Sequence, residues 1–302
     1  MEPGDVRTVT TGDCTNLYYV DTGMYDTAEY GAVYVLDAER PAIVDTGIGA
    51  NYEYVLDALD EAGIAPEDLE VIAVTHVHLD HAGGAGYLAE ACPNAAVFVH
   101  ESGARHLIDP SRLWEGTKGA VGDQIEFYAE PRAVPEERVT ELTDGDVIDL
   151  GDHELVTRHA PGHAPHQVVF EDPANDAVFT ADAAGIWVPS RDRIKETSPP
   201  PQFDLEGALA DAEMLVDLDR ETLLYAHFGP KDADGVLTEY TDVLTDWVRA
   251  VERVRDELGD DEAVIDHFVP ENEMENVWGE RKARGETAMN VRGVIRYLDG
   301  RE

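Results

Sequence analysis

His76-Val77-His78-Leu79-Asp80-His81 places four metal-ligating side chains within six residues. The apolar run Val71-Ile72-Ala73-Val74-Thr75 leads into it, and Gly83-Gly84 follow. That order predicts a buried strand over 70–75, a loop carrying the cluster, and a helix over 82–91. Neutral imidazoles and a carboxylate suit zinc, iron or manganese, and a plain polar turn has no reason to concentrate them. The segment is read as part of a metal site at a strand end.

Upstream, Val6 to Val9, Leu17 to Val20, Ala32 to Leu36 and Ala42 to Val44 have strand character. Asn51 to Ala62 has helical spacing through Val55, Leu56 and Leu59, closed by Gly63. Downstream, strands are expected at Ala96 to Val99, Val147 to Leu150, Glu154 to Arg158, Val168 to Phe170, Val178 to Thr180 and Thr222 to Ala226. A helix is expected over 204–217. Stretches 110–123 and 198–203 read as loops, the second carrying Pro199-Pro200-Pro201. From about residue 234 the pattern turns helical, around Val236 to Leu258 and Thr287 to Leu298. Strands followed by helices, twice, fit two sheets packed face to face with helices outside. The expected division is 1–233 for that unit and 234–302 for a C-terminal helical extension.

Further candidate ligands recur where strands are expected to end. His163 and His166 stand in Ala160-Pro161-Gly162-His163-Ala164-Pro165-His166, Asp182 closes Phe179-Thr180-Ala181-Asp182, and His227 lies in Tyr225-Ala226-His227-Phe228-Gly229. Loops at the ends of packed strands converge on one edge of a sandwich, so these groups can meet the first cluster. Any one alone is more often a satisfied polar residue. Together they form a strong pattern.

HxHxDH, then Gly-His, then an Asp closing a strand, then a late His, resembles the metallo-β-lactamase-fold hydrolase superfamily over roughly residues 7–230. The resemblance implies an α/β fold: an αββα four-layer sandwich of two mixed β-sheets with outer helices and the site at one edge. It implies two divalent metal ions, zinc favoured, with iron or manganese as alternatives. By the same resemblance His76, His78 and His163 hold the first ion, Asp80, His81 and His227 the second, and Asp182 bridges them. Asp45, in Ile43-Val44-Asp45-Thr46-Gly47, matches a family aspartate. It is read either as orienting a ligand imidazole or as capping the turn before Gly47.

Two ions sharing one water lower its pKa toward neutrality, so the expected reaction is hydrolysis by a metal-bridging hydroxide. Asp80, Asp182 and His166 are the side chains expected nearest the chemistry, with His166 equally readable as a surface loop residue. Within the superfamily, Asp182 as a bridge argues against a true β-lactamase, and His78 against the diiron oxygen reductases. Glyoxalase II-like thioester hydrolysis is slightly favoured. A phosphodiesterase or nuclease-like activity, a lactone or ester hydrolase, and a non-catalytic metal-binding interaction module are the alternatives. Tyr25, Tyr30, Trp187 and the triproline loop are read as pocket-wall or packing residues. Arg191-Asp192-Arg193-Ile194-Lys195 reads as an anion-facing cluster or as solvated ion-pair partners.

A hydrophobic content of 43% over 302 residues is that of a globular protein, but 22 basic against 64 acidic residues give a net charge of −42. Only Lys118, Lys195, Lys231 and Lys282 are lysines, and the acidity runs from Glu2 to Glu302 rather than in one block. Dispersed acidity on this scale predicts a surface adapted to very high salt, hence a halophilic source and a cytoplasmic location. It disfavours nucleic acid as a partner and leaves a small-molecule substrate. Cys14 and Cys92 have no CxxC spacing and read as small buried hydrophobes in a reducing compartment. Neither a secretory signal nor a membrane span is expected. The spacing Val236, Leu237, Tyr240, Val243, Leu244, Trp247 permits either a substrate wall or a homo-oligomer contact through the C-terminal helices.

Overall fold

In the strand Ala32–Leu36, Val33 and Val35 join one buried cluster while Ala32, Tyr34 and Leu36 join another. A strand buried on both faces must lie inside a stack of layers. The computed structural model, which describes residues 1–301, builds that stack from two large sheets.

The first is seven-stranded and follows chain order: β1 (Val6–Thr8), β2 (Leu17–Asp21), β3 (Ala32–Leu36), β4 (Ala42–Val44), β5 (Val71–Ala73), β6 (Ala96–His100) and β7 (Val139–Leu142). Pairing is antiparallel up to β4 and parallel from β4 to β7. This half also holds α1 (Tyr52–Glu61), α2 (Leu79–Ala82), α3 (Ala85–Ala91), α4 (Glu101–Ile108) and α5 (Ser111–Val121). The chain then forms β8 (Val147–Asp149), β9 (Glu154–His159), β10 (Val168–Asp172) and β11 (Ala177–Ala181). A separate hairpin of β12 (Ile186–Val188) and β13 (Arg193–Lys195) comes next, followed by α6 (Leu205–Leu218), β14 (Thr222–Tyr225) and β15 (Gly229–Asp232). The second sheet has the order β15-β14-β11-β10-β9-β8, with β11 and β14 parallel. Helices α7 (Val236–Leu258), α8 (Asp261–Phe268), α9 (Glu275–Trp278) and α10 (Glu280–Asp299) end the described chain.

Side-chain alternation sorts the core into layers. Ala42, Val44, Val71 and Ala73 of the first sheet meet Val168, Phe170 and Phe179 of the second. Their outward neighbours Ile43 and Ile72 pack under Val55 and Leu59 of α1 and Leu88 of α3. On the far side Val169 and Val178 pack with α6, α7, α8 and α10. The expected αββα sandwich of two mixed sheets is what forms.

The apolar stripe of α7 is used inside the chain, because Tyr240, Leu244, Val248 and Val251 share one cluster with Val178 and Tyr225. No helix among the described residues is long and apolar enough to cross a membrane. The segment expected as a loop at 110–123 instead contains α5, whose Gly116 and Gly119 obscured it. The helix expected from Ala82 begins at Leu79, so Asp80 and His81 sit on a helical turn rather than a loop. α10 begins at Glu280, earlier than the expected 287, because its first turns are charged on the solvent side and apolar stripes there are sparse.

Phe170 is fully buried between the sheets. Phe170→Ala is expected to cost about 3–5 kcal/mol in denaturant unfolding, while Val147→Ala, at a half-exposed position, changes stability by less than about 0.5 kcal/mol. Equal effects would contradict the layer assignment.

Candidate metal centre

β5 delivers the chain at one edge of the sandwich, where Thr75 and His76 are buried. His78 has an extended backbone and precedes the single turn of α2, which carries Asp80 and His81. Three further strand ends reach the same edge. The β9–β10 connection brings His163, Asp182 follows the last residue of β11, and the β14–β15 turn brings His227. All seven expected ligands are thus brought together, in the groups His76/His78/His163, His76/His81/Asp182 and Asp80/His81/His227.

His78 Nδ1 lies 3.1 Å from His76 Nε2 and 3.0 Å from His163 Nε2. Asp182 Oδ2 lies 3.0 Å from His163 Nε2, 3.6 Å from His81 Nε2 and 3.8 Å from His76 Nε2. Its other oxygen, Oδ1, is 3.5 Å from His227 Nε2, which is 3.9 Å from Asp80 Oδ2. His81 Nε2 and Asp182 Oδ1 are buried without a hydrogen-bond partner. A buried acceptor left unpaired costs about 1–3 kcal/mol, and several facing one point are what a cation resolves. The donor set fits two closely spaced divalent ions.

Burial, reinforced by the neighbouring imidazoles, holds His76 well below the ordinary histidine range. His163 falls to about 3, mainly by burial. Both therefore stay neutral and ligand-competent at neutral pH. Burial would raise the Asp182 carboxyl, but the histidines around it, with a hydrogen bond from His81, outweigh burial and hold the group low.

Outer contacts fix the rings. Asp45 Oδ2 accepts from His81 Nδ1 at 2.9 Å, and Asp45 Oδ1 accepts from the Thr75 amide and hydroxyl at 2.9 and 2.8 Å. His227 Nδ1 donates to the Tyr30 carbonyl at 2.9 Å. In each case the proton sits on Nδ1, leaving the Nε2 lone pair toward the cluster. The Asp182 amide donates to Gln167 Oε1 at 3.3 Å. Gly162 lets the His163 loop lie against α6, since a Cβ there would overlap the Ala208 nitrogen. The Gly162 amide donates to the buried Asp211 carboxylate at 2.7 Å.

A narrow pocket of about 80 Å3 leads to the centre, with His78, Asp80, His163, Asp182 and His227 in its wall. Tyr25 and Tyr30 line it, as do Pro199 and Pro200; Trp187 is instead a buried residue of the second-sheet cluster. His166 stacks behind His76, at 6.1 Å between ring centroids, and does not line the pocket. Arg193 pairs with Glu273 and Lys195 with Glu196, away from the pocket. The sequence reading missed Tyr128, whose hydroxyl pairs with that of Tyr25, and the buried pair Lys282–Glu286 on α10. Glu286 Oε2 accepts from Lys282 Nζ at 2.6 Å and from the Tyr30 hydroxyl at 3.1 Å. The available signal was Lys282 and Glu286 at i, i+4 in a chain with four lysines.

A model of the metallo-beta-lactamase superfamily matches residues 26–227. The chain belongs to that superfamily, as a metal-dependent hydrolase. It is 25% identical over 225 residues to the metallo-beta-lactamase fold-containing protein ST1585 of Sulfurisphaera tokodaii, covering 72% of this chain and 79% of that protein. It is 28% identical over 184 residues to the acyl-coenzyme A thioesterase MBLAC2 of Gallus gallus, covering 56% of this chain and 62% of that protein. The chain therefore spans less than two thirds of the thioesterase's length. Among solved structures, the ST1585 protein superposes with a TM-score of 0.66 at 24% identity, over 76% of this chain and 86% of the other. The family protein TTHA1429 from Thermus thermophilus gives a TM-score of 0.61 at 22% identity, over 90% of this chain and 89% of the other. These two likenesses establish the fold.

Burial pushes the Asp211 carboxyl up from 3.8 to about 6. The folded state then binds more protons than the unfolded state between those values, so this group's contribution to stability falls as pH rises through that window. Asp211→Asn keeps an acceptor for Gly162 and cannot ionise. It is expected to match the parent at pH 4 and to exceed it above pH 6 by up to about 3 kcal/mol. Urea titrations at fixed salt read this directly, and a variant destabilised at both pH values would refute it.

Proposed function

We propose that the chain hydrolyses thioesters, in the manner of a glyoxalase II-like or acyl-coenzyme A thioesterase, with two divalent metal ions as cofactors and zinc favoured. His76, His78 and His163 would hold one ion, Asp80, His81 and His227 the other, and Asp182 both. The observation that carries this reading is the Asp182 carboxylate, one oxygen of which faces His163 while the other faces His227. When bound, such a pair supplies Lewis acidity and a water that ionises near neutral pH.

The chain's own residues do the rest. Asp45 and the Tyr30 carbonyl keep His81 and His227 in one tautomer and one orientation. Tyr25 and Tyr128 both line the pocket, and burial holds their hydroxyls well above the ordinary tyrosine range, so they remain protonated. One hydroxyl of the pair donates to the other, which leaves the second proton free for an acyl oxygen. Leu79, Val121, Ile186 and Met289 give the entrance an apolar lining that limits bulk water around the reacting bond.

The similarity to a relative named as an acyl-coenzyme A thioesterase supports a thioester over a phosphodiester or lactone. The net charge of −42 supports a salt-adapted cytoplasmic protein that acts on a small molecule rather than on nucleic acid.

Thiol release from a small acyl thioester should be abolished by chelator and restored by zinc, in protein kept folded at high KCl. Asp182→Ala should lower kcat/KM by more than about a hundredfold, beyond the cost of losing an outer hydrogen-bond partner. Chelator-resistant turnover, or an Asp182→Ala variant with parental activity, would remove the proposal.

A further inference from the structure

The metal pocket, at about 80 Å3, has room for a reacting ester and little more, whereas pockets that enclose a whole small molecule usually measure about 300–1,000 Å3. The remainder of any thioester substrate must extend beyond it. A groove of about 540 Å3 opens alongside and shares Ala120, Val121 and Pro200 with the pocket. α10 contributes Arg281, Gly285 and Arg292 to this groove, residues that recur on one helical face.

Three features of the groove bear on what it can hold. Arg292 is exposed and, among the described residues, has neither an ion-pair nor a hydrogen-bond partner, in a chain with 64 acidic residues against 22 basic ones. Arg281 is held in place, pairing with Glu126 and donating from Nη2 to the Asp123 carbonyl at 2.6 Å. Gln124 is 8% exposed, and its Nε2 faces Gly285 in the lining of the groove. Its amide occupies space that only glycine at 285 leaves open, since a Cβ there would overlap Gln124 Nε2. The unpaired guanidinium of Arg292 and the Nε2 donor of Gln124, both in one groove, can donate to an oxyanion. Among the described residues Asp123 is the one carboxylate in the lining, and with Arg281 paired to Glu126 it is Arg292 that carries the uncompensated guanidinium.

We infer that this groove binds an anionic arm on the thiol side of the substrate, a phosphate or carboxylate met by Arg292, Arg281 and the Gln124 amide. The inference rests on the thioesterase reading and extends it from the bond cleaved to the group recognised.

The test uses unreactive S-butyl thioethers, so that binding is read without turnover. Three probes are compared on the full chain by calorimetry: S-butyl-pantetheine, its 4′-phosphate, and S-butyl-glutathione. At the lowest KCl that keeps the protein folded, the phosphorylated or the carboxylated probe should bind at least about tenfold more tightly than the neutral one, and the preference should shrink as salt rises. Which charged probe wins identifies the arm. Arg292→Gln should reduce that preference to less than about twofold with no change in affinity for the neutral probe, and Arg292→Lys should restore part of it. Equal affinity for all three probes, or a preference that survives Arg292→Gln, overturns the subsite whether or not thioesters are hydrolysed. A preference that depends on Arg292 in a protein that cleaves no thioester would uphold the subsite and overturn the reaction.

Discussion

Five imidazoles and two carboxylates converge at one edge of the sandwich, most of them buried. Such a cluster is unfavourable in a low-dielectric interior unless positive charge sits among it. His78 Nδ1 stands about 3 Å from two other ring nitrogens, and Asp182 divides its oxygens between two histidine groups. The surrounding structure serves to hold this arrangement. Strand ends from both sheets deliver the ligands, and the buried carboxylate of Asp45 fixes one ring through a contact that also ties down Thr75.

The C-terminal helices enter this account as part of the site. Trp278 packs edge-on to Tyr30, and Glu286 accepts the Tyr30 hydroxyl, while the Tyr30 carbonyl accepts from His227. α10 therefore reaches a proposed metal ligand through one residue. The Lys282–Glu286 pair is buried, and its ammonium lies 3.9 and 4.2 Å from the rings of Tyr25 and Tyr30. A buried ion pair of this kind is seldom a net source of stability, but removing one partner leaves the other charge stranded. Its value here is positional: it sets the two tyrosines that wall the pocket.

Much of the site was legible because its chemistry is dense in sequence. HxHxDH needs no tertiary information to be noticed, Asp182 and His227 each follow a short apolar run that marks a strand end, and His163 follows the Ala160-Pro161-Gly162 turn between two expected strands. Layering was legible from the order of elements, strands followed by helices, twice. Other features depended on long-range contacts. Glycines within α5 mimic a loop until the helix is seen to cover the pocket. Tyr128 has no local signature, and Glu286 becomes a site residue only when α10 folds back over residues that precede it by more than 250 positions, as with Tyr30. His166 shares its loop with His163, but the turn between them aims it behind His76. The stripe on α7 is strongly periodic, yet periodicity could not tell an internal partner from an external one.

The converging ligands fit two divalent ions. Anomalous diffraction from crystals of the full chain, recorded at the absorption edges of zinc, iron and manganese, tests it most directly. Two peaks are expected, one bounded by His76, His78 and His163 and one by Asp80, His81 and His227, with Asp182 next to both. Metal-replete crystals showing no peak at these residues, or showing metal only elsewhere on the acidic surface, would contradict it.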